Sequence, residues 1–555
     1  MESEAGLTGI LPFVFFVGAA ITYPLSLFLL KRYKAAVLKT MAAIGGKAPV
    51  ADAGRDTMAT AGSAEGLETI AIDAASAPDL PTSAQARYSR ISRSPWSTAR
   101  AYAAGGAAYS VTLGAVQLIA DGSFSILRLV VLAYVYAWPI IIAVNLIVPS
   151  TRRLKIRTYG GYFAGLLVLS IIAVSVSTNL SILDPFIVWA LYSLPPSILV
   201  MAFLQRRVRA VGVMILAFTV IALIGANVAL SVVDSSASLL SAAAGAGSAV
   251  GVNAVGVFVT IIMVGAVIFG IVAWFANKWI TSRYLEKRLN DQSLLLDSMW
   301  LVFVMVQSIG LAFVGMAWYL AGIAAFVVYR LTVRSRLKAR EASSAVRTEP
   351  SNLLFLRVFS LGRRSERIFD AISTQWQYAG NVRMIAGPDL AATTVEPHEF
   401  LEFLSGKLEQ SFISSSEALD TKMRTLDTSP DFDGRYRIND FFCYEDTWRS
   451  VLSRLVTESD AVFVDVRNFS PGNAGLIFEL NELVSVISLD RVVLLVDQST
   501  DTGLLDRTLQ DAWANMRADS PNHGADNARI RICTLTSDQP QDIAHVLQSL
   551  SAAAS

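Results

Sequence analysis

Residues 459–483 read SDAVFVDVRNFSPGNAGLIFELNEL and decide how the C-terminal part of the chain folds. The apolar and β-branched run 461–466 is typical of a strand that is buried on both faces of a sheet. A Ser-Pro-Gly triplet at 470–472 interrupts this run, and residues 474–483 continue with helical spacing. This order of strand, loop and helix predicts one unit of an α/β sheet.

Strands and helices alternate on both sides of this unit, between residues 352 and 550. Alternation of this kind favours parallel pairing with right-handed crossovers, and therefore a doubly wound parallel sheet of about five strands. Residues 414–439 are polar and are predicted to be an insertion into this domain. The predicted strands are 353–359, 382–386, 461–466, 491–496 and 530–535.

Ligands of such sheets bind beyond the carboxyl ends of the strands, where helix N-termini and free backbone amides converge. We therefore predict a ligand site from the polar residues that follow the first, second and central strands. They are Ser360, Gly362, Arg363, Arg364, Asp389, Asp465, Asn468, Asn473 and Glu479.

The order of a Ser-ended first strand, a second strand leading to Asp389, and SDAVFVDVRNFSP running into GLIFEL resembles the Toll/interleukin-1 receptor (TIR) domain. It also resembles the nucleoside deoxyribosyltransferase-like proteins, and both resemblances imply a flavodoxin-like sheet. In these families a glutamate in the helix after the third strand attacks or stabilises the anomeric carbon of an N-glycosidic bond in NAD or a nucleoside. The resemblance implies this catalytic role for Glu479, because a carboxylate beneath the sugar stabilises an oxocarbenium-like cation.

Each candidate residue also has a purely structural interpretation. Glu479 is equally a polar residue on a half-buried helix, and the Arg363–Arg364 pair a solvated helix face. Asp389 follows Gly387-Pro388 and has the character of a turn residue. Asp465 ends an apolar strand, where an unpaired carboxylate is costly to bury, so a partner or a functional role is expected for it.

The composition places much of the chain in lipid. Of its 555 residues, 53% are hydrophobic and 16% charged, and the mean hydropathy is +0.49. A net charge of +1 does not favour nucleic-acid binding. Two cysteines and three scattered histidines favour neither a disulfide framework nor a metal site, so no metal is expected.

Residues 101–340 are predicted to be a multi-pass transmembrane domain of long apolar runs. Basic connections alternate with connections that lack Lys and Arg, which places the C-terminal domain in the cytoplasm and the chain in a bacterial inner membrane. Residues 294–329 are predicted to form a tight hairpin, giving eight or nine crossings in all. The clearest spans are 126–148, 159–178, 185–204, 211–233 and 255–276.

Two further segments precede this domain. Residues 1–34 are predicted to be an uncleaved membrane anchor, because the apolar run follows an acidic start and ends at basic residues. Residues 35–100 are rich in Ala, Gly and Ser and are predicted to be a flexible linker. Its basic end, 87–100, is interpreted either as a segment on the anionic leaflet or as a solvated loop.

Two functions from different classes follow. The first is a membrane protein whose cytoplasmic TIR-like domain binds a nucleotide such as NAD and cleaves its N-glycosidic bond in signalling or defence. The second is a non-enzymatic nucleotide sensor, or a domain that assembles with copies of itself, which gates a pore or a transporter. Coupled transport is disfavoured because ionisable residues occur in the spans only near their ends, at Arg128 and Asp297.

Overall fold

The computed structural model describes ten segments of the chain, which form a helical N-terminal part and a C-terminal α/β domain. The described residues are 2–43, 71–74, 80–176, 181–203, 209–343, 349–357, 363–386, 395–523, 529–536 and 539–555.

The N-terminal part is a bundle of helices. Six of its segments are long and apolar enough to cross a membrane; they comprise α2, α3 with α4, α5, α6, α7 and α9 of the following helices. The helices are α1 (Glu2–Met41), α2 (Thr82–Ala120), α3 (Ile126–Tyr136), α4 (Trp138–Ile147), α5 (Arg152–Val176), α6 (Asp184–Phe203), α7 (Arg209–Asp234), α8 (Ala237–Ala249), α9 (Ala254–Leu285), α10 (Asp291–Gln307), α11 (Ile309–Val314) and α12 (Met316–Ser343).

The five clearest predicted spans are confirmed as membrane-capable helices, and the weakly apolar segment 101–120 belongs to the sixth, α2. The predicted hairpin 294–329 is divided into α10, α11 and α12, and α10 packs against α12. The total of eight or nine crossings stays a prediction, because the six membrane-capable helices include neither α1 nor α10–α12.

Parts of the predicted flexible linker, 35–100, have regular structure. Helix α1 continues to Met41, a short strand occupies Ala71–Ala74, and α2 begins at Thr82, whereas 44–70 and 75–79 lie outside the described residues. Its basic end is not a solvated loop, whereas its contact with the anionic leaflet stays a prediction. It is helical and packs on the α/β domain, where the buried Arg87 donates a hydrogen bond to the carbonyl of Ser551 at 2.8 Å.

The α/β domain is a parallel sheet covered by helices on both faces. The strand order is β1-β8-β7-β6-β2-β3-β5-β4, and each pair of neighbours is parallel. The strands are β1 (Ala71–Ala74), β2 (Leu353–Arg357), β3 (Val382–Ile385), β4 (Phe412–Ile413), β5 (Ile438–Cys443), β6 (Ala461–Asp465), β7 (Val492–Val496) and β8 (Arg529–Thr534). The helices are α13 (Arg363–Trp376), α14 (Pro397–Leu404), α15 (Ser416–Arg424), α16 (Trp448–Thr457), α17 (Ala474–Val486), α18 (Thr502–Ala514) and α19 (Pro540–Ala553), with 3₁₀ turns at Leu408–Ser411 and Leu489–Arg491.

The doubly wound parallel architecture is as predicted, but the number of five strands is wrong. The C-terminal part contributes seven, β2–β8, and β1 from the N-terminal part adds an eighth beside β8. Strand β5 was not predicted, because the first half of its sequence, INDFFC, is polar. It begins at the end of the predicted insertion. Helix α15 and the loop that follows it return the chain to the sheet, where β5 pairs with β3.

The two faces of the sheet have separate cores, as expected from side-chain alternation along each strand. Leu354, Leu356 and Val464 pack with helices α16, α17 and α18. Phe355 and Phe463 lie on the other face with α13 and α19. A polar residue at the end of a strand is therefore assigned to one face by its place in this alternation.

Candidate ligand site and its junction with the membrane helices

The sheet reverses its winding between β2 and β6, because β3 lies on one side of β2 and β6 on the other. Ligands of open α/β sheets bind outside the carboxyl ends of the strands at such a switch point. The last residues of the two strands, Arg357 and Asp465, are direct register partners. This crevice is the candidate ligand site.

Asp465 and Arg467 form a closed ion pair within this crevice. The guanidinium donates from Nε to Oδ1 and from Nη2 to Oδ2, both at 2.7 Å. Both side chains are buried, at 0% and 1% exposure. The hydroxyl of Ser365 on α13 donates a further hydrogen bond to Oδ2 at 3.3 Å. Asp465 therefore has the partner that its burial requires.

Glu479 lies on the buried stripe of α17, between Leu476 and Leu483. Its Oε2 atom has no hydrogen-bond partner among the described residues. Burial raises the pKa of this carboxyl to about 8, and the positive charge of Arg357 opposes the shift. The side chain is accordingly protonated at neutral pH.

The structure does not bring Asp465 and Glu479 together. Asp465 follows Phe463 in the alternation of β6, and it contacts Ser365 on the α13 side of the sheet. Glu479 belongs to α17, which covers the opposite face with Leu476 and Leu480. The positive charge of Arg357, the register partner of Asp465, still influences Glu479.

The remaining described candidates order the loops around the crevice. Arg364 donates to Asp497, after β7, at 2.6 Å. Asn468 has a φ of 59°, and its backbone N–H donates to the Oγ of Ser499 at 3.0 Å. Asn473 precedes α17, and its Oδ1 accepts hydrogen bonds from the backbone and the hydroxyl of Ser470 at 2.8 and 2.9 Å.

Five residues of this edge were missed by the sequence reasoning, namely Arg357, Ser365, Arg467, Asp497 and Ser499. Partial burial alone would raise the pKa of Asp497, but the hydrogen bonds from Ser499 and the cations of Arg364 and Arg467 lower it. The Asp-Gln-Ser-Thr sequence after the strand 491–496 was the available signal.

The loops that follow β2 and β3, 358–362 and 387–394, lie outside the described residues. Ser360, Gly362 and Asp389 belong to these loops. Arg363 begins α13, and its side chain is likewise outside the description. Among the described residues, no group of three His, Cys, Asp or Glu side chains is placed to hold a metal ion.

A second polar region joins the α/β domain to the membrane helices. It is formed by residues 427–437, the last part of the predicted insertion, which we call the docking loop. Phe432 of this loop packs against the core of the helical bundle. Asp433 and Arg435 form a buried ion pair at 2.9 Å beside it.

Two basic residues connect the docking loop to the turn between α9 and α10, one from each side. Arg437 lies with its guanidinium carbon 4.1 Å from the ring centroid of Tyr284, and it donates to the carbonyl of Tyr284. Asp431 pairs with the same guanidinium at 3.0 Å. From the turn itself, Lys287 pairs with Asp427 and donates to Ser429.

Buried carboxyl groups lie beside this contact. The Tyr284 hydroxyl donates to Glu396 at 3.1 Å, and the backbone N–H of Glu396 donates to Glu399 at 3.0 Å. Burial, with a contribution from Asp291, raises the pKa of Glu396 to about 8. Burial and the neighbouring Glu396 and Asp440 raise the pKa of Glu399 well above its usual range. The raised pKa values favour the protonated form of both carboxyl groups at neutral pH.

Comparisons with protein-family models, with curated proteins and with solved structures found no match to this chain. The resemblance to TIR and deoxyribosyltransferase-like domains therefore stays a prediction from the sequence.

Proposed function

We propose that this chain is a multi-pass membrane protein whose α/β domain binds a nucleotide at the β2–β6 crevice and transmits occupancy to the membrane helices. The observation that carries this proposal is the docking loop. It inserts Phe432 into the helical bundle and fixes the α9–α10 turn through Arg437 and Lys287. A soluble domain that was merely tethered would need no such buried polar contact.

The exposed residue Arg364 makes this edge of the sheet suitable for binding a phosphate group. Arg364 is half exposed, and it stands at the start of α13, directly after the loop from β2. Helix N-termini and guanidinium groups both favour phosphate oxygens. Arg364 remains half exposed in its ion pair with Asp497, so its free N–H groups can donate to a phosphate.

The buried groups support binding more than cleavage. Asp465 is occupied by Arg467, and Glu479 is protonated and lies on the other face of the sheet. A nucleophilic or cation-stabilising carboxylate has to be ionised and next to the sugar. The geometry therefore supports the non-enzymatic sensor better than the N-glycosidic cleavage.

Cleavage of an N-glycosidic bond is the second candidate, and one observation favours it. Glu479 is a fully buried carboxyl with an unpaired oxygen and a pKa near 8 at the edge of a switch point. Strongly shifted groups of this kind cluster at functional sites. Binding that brings Arg357 closer would return Glu479 to the ionised form.

The membrane part would be the output of the sensor, opening a pathway through the bundle or changing its assembly with other copies. The basic connections favour an inner membrane and a cytoplasmic α/β domain, by the positive-inside rule. Within the described bundle, Asp297 is paired with Arg330 at 3.1 Å, as a structural ion pair would be.

The test uses the full chain and its two cysteines. Cys443 and Cys533 are the only cysteines, and both are buried in the α/β domain, so a thiol-reactive dye reports unfolding of that domain. NAD, ATP or a nucleoside should raise the melting temperature of the wild type. Arg364→Ala should weaken binding about tenfold, as expected for a charged hydrogen bond.

The matched control is Arg454→Ala. Arg454 is 50% exposed and Arg364 52%, and each is paired with a carboxylate, but Arg454 is near the end of α16, at the amino edge of the sheet. Binding should be unchanged in this variant. Turnover of NAD or a nucleoside that disappears in Glu479→Gln would favour the cleavage candidate, whereas a chain stabilised by none of these compounds would contradict nucleotide binding.

A further inference from the structure

The end of α9 and Leu401 of α14 border a wide, open groove between the helical bundle and the α/β domain. Its volume is about 440 Å³, and it is lined by Lys278, Thr281, Ser282, Leu285, Glu286 and Leu401. We propose that this groove binds the head group and upper acyl chain of an anionic phospholipid from the leaflet that faces the α/β domain.

The groove lies where α9 leaves the membrane. This helix is the most apolar of the six membrane-capable helices, and it ends at Leu285. Trp279 is 55% exposed near its end, and Trp side chains concentrate at membrane–water interfaces. The amino group of Lys278 lies 5.6 Å from the ring centroid of Trp274, so its cation is held at the same level.

The polar wall of the groove is complementary to an anion. Its cation is Lys278, whose side chain is exposed. The one carboxylate of the lining, Glu286, is paired with Arg283 at 3.0 Å and with Arg288 at 3.3 Å. Its charge is therefore compensated, and Lys278 is left as the cation of the lining that a phosphate would meet.

The apolar wall fits an acyl chain. Leu285 of α9 is 55% exposed, and Leu404 of α14 is 43% exposed close to Leu401. One wall comes from a membrane helix and the other from the α/β domain. A lipid bound here would contact both parts and strengthen their docking. The groove is separate from the β2–β6 crevice, and its occupancy is measured without any nucleotide.

The experiment is native mass spectrometry of the full chain released from nanodiscs that contain equal amounts of phosphatidylglycerol and phosphatidylcholine. The wild type should retain phosphatidylglycerol preferentially. Lys278→Ala should lower the retained fraction about fivefold, the factor expected for one basic residue near an anionic surface. Lys278→Arg should keep the preference.

Lys155→Ala is the matched control, because Lys155 is an exposed cation near the start of another membrane-capable helix, α5. Its retention should equal that of the wild type. Leu401→Trp should reduce retention by filling the groove. Equal retention of both lipids by the wild type, or equal losses in Lys278→Ala and Lys155→Ala, would overturn the proposal.

Discussion

Arg437 of the docking loop stacks on Tyr284 at the end of α9, with 4.1 Å between its guanidinium carbon and the ring centroid. The same guanidinium donates to the carbonyl of Tyr284 and pairs with Asp431. Tyr284 in turn donates from its hydroxyl to Glu396. One membrane helix is thus held by two separate segments of the α/β domain.

Arg437→Ala should release the α9–α10 turn, because it removes the stacking and leaves the buried Asp431 without its cation. The loss of one partner of a buried pair costs about 3–5 kcal/mol. Hydrogen exchange of the full chain should therefore become faster at Tyr284–Asp291 and in the docking loop.

Arg449→Ala is the control for this variant. Arg449 also stacks on an aromatic ring, 4.9 Å from the centroid of Phe478, but within the α/β domain. Exchange at Tyr284–Asp291 should match the wild type in this control. Unchanged exchange there in Arg437→Ala would contradict a mechanical role for the docking loop.

Docking should weaken as the pH rises, through Glu396. Its pKa of about 8 in the docked state lies above the value of about 4.5 for an exposed glutamate. A raised pKa means that the docked form binds the proton more tightly than the undocked form. The stabilisation of docking by this proton therefore decreases from about pH 4.5 upward and is lost above about pH 8. The charged and titratable groups that face Glu396 are Tyr284, Asp291, His398, Glu399, Arg437 and Asp440.

Glu396→Gln should remove this dependence. The ratio of exchange rates at the α9–α10 turn, wild type over variant, cancels the intrinsic pH dependence of exchange. We expect a ratio near one at pH 5 that rises toward pH 9. A ratio that stays constant over this range would show that Glu396 does not control docking.

Glu479→Gln tests the buried carboxyl of the crevice by the same reasoning. Its pKa of about 8 predicts that the wild-type domain loses stability between about pH 4.5 and 8, whereas the neutral amide does not. The variant should therefore melt at the same temperature as the wild type near pH 5 and several degrees higher at pH 8. The thiol-dye melt of Cys443 and Cys533 measures this difference, and a gap that does not grow with pH would contradict the burial of an unpaired carboxyl.

The sequence was sufficient for the parallel α/β architecture and the clearest membrane-capable spans, because both depend on strong local patterns. The run 461–466 and its helix fixed the central unit, and five spans near 20 residues were visible by hydropathy alone. Strand β5 was not visible, since its polar first half is stabilised by pairing with β3 rather than by its own propensity.

The candidate site was only partly predictable. Strand ends identify the edge of the sheet, so Asp465 and Arg364 could be placed there from the sequence. The face to which each side chain turns depends on how helices pack, which separates Asp465 from Glu479. The docking loop depends on contacts between Arg437 and Tyr284, 153 positions apart, and no local pattern encodes such a contact.

Close packing of α7 and α9 gives a prediction for the membrane part. A Cβ atom added at Gly265 would lie 2.4 Å from the carbonyl oxygen of Gly225 and 2.7 Å from the Cβ of Ala229. Small residues at such crossings allow helix backbones to approach each other. Gly265→Ala should therefore lower the melting temperature of the helical signal by several degrees, as over-packing costs about 1–3 kcal/mol.

Gly160→Ala is the matched control, because Gly160 also lies in a membrane-capable helix and a Cβ atom there would meet nothing within 4 Å. This change should leave the melting temperature equal or slightly higher, since Ala favours the helix. Equal melting temperatures for the two variants would contradict the observed crossing of α7 and α9.

The most direct test of the central claim is hydrogen exchange of the full chain in nanodiscs, with and without a nucleotide that stabilises the α/β domain. If the crevice is coupled to the membrane helices, the nucleotide changes exchange both near Arg364 and at Tyr284–Asp291, and Arg437→Ala abolishes the second change while keeping the first. Changes confined to the α/β domain in the wild type, or no response to any nucleotide, would contradict the claim.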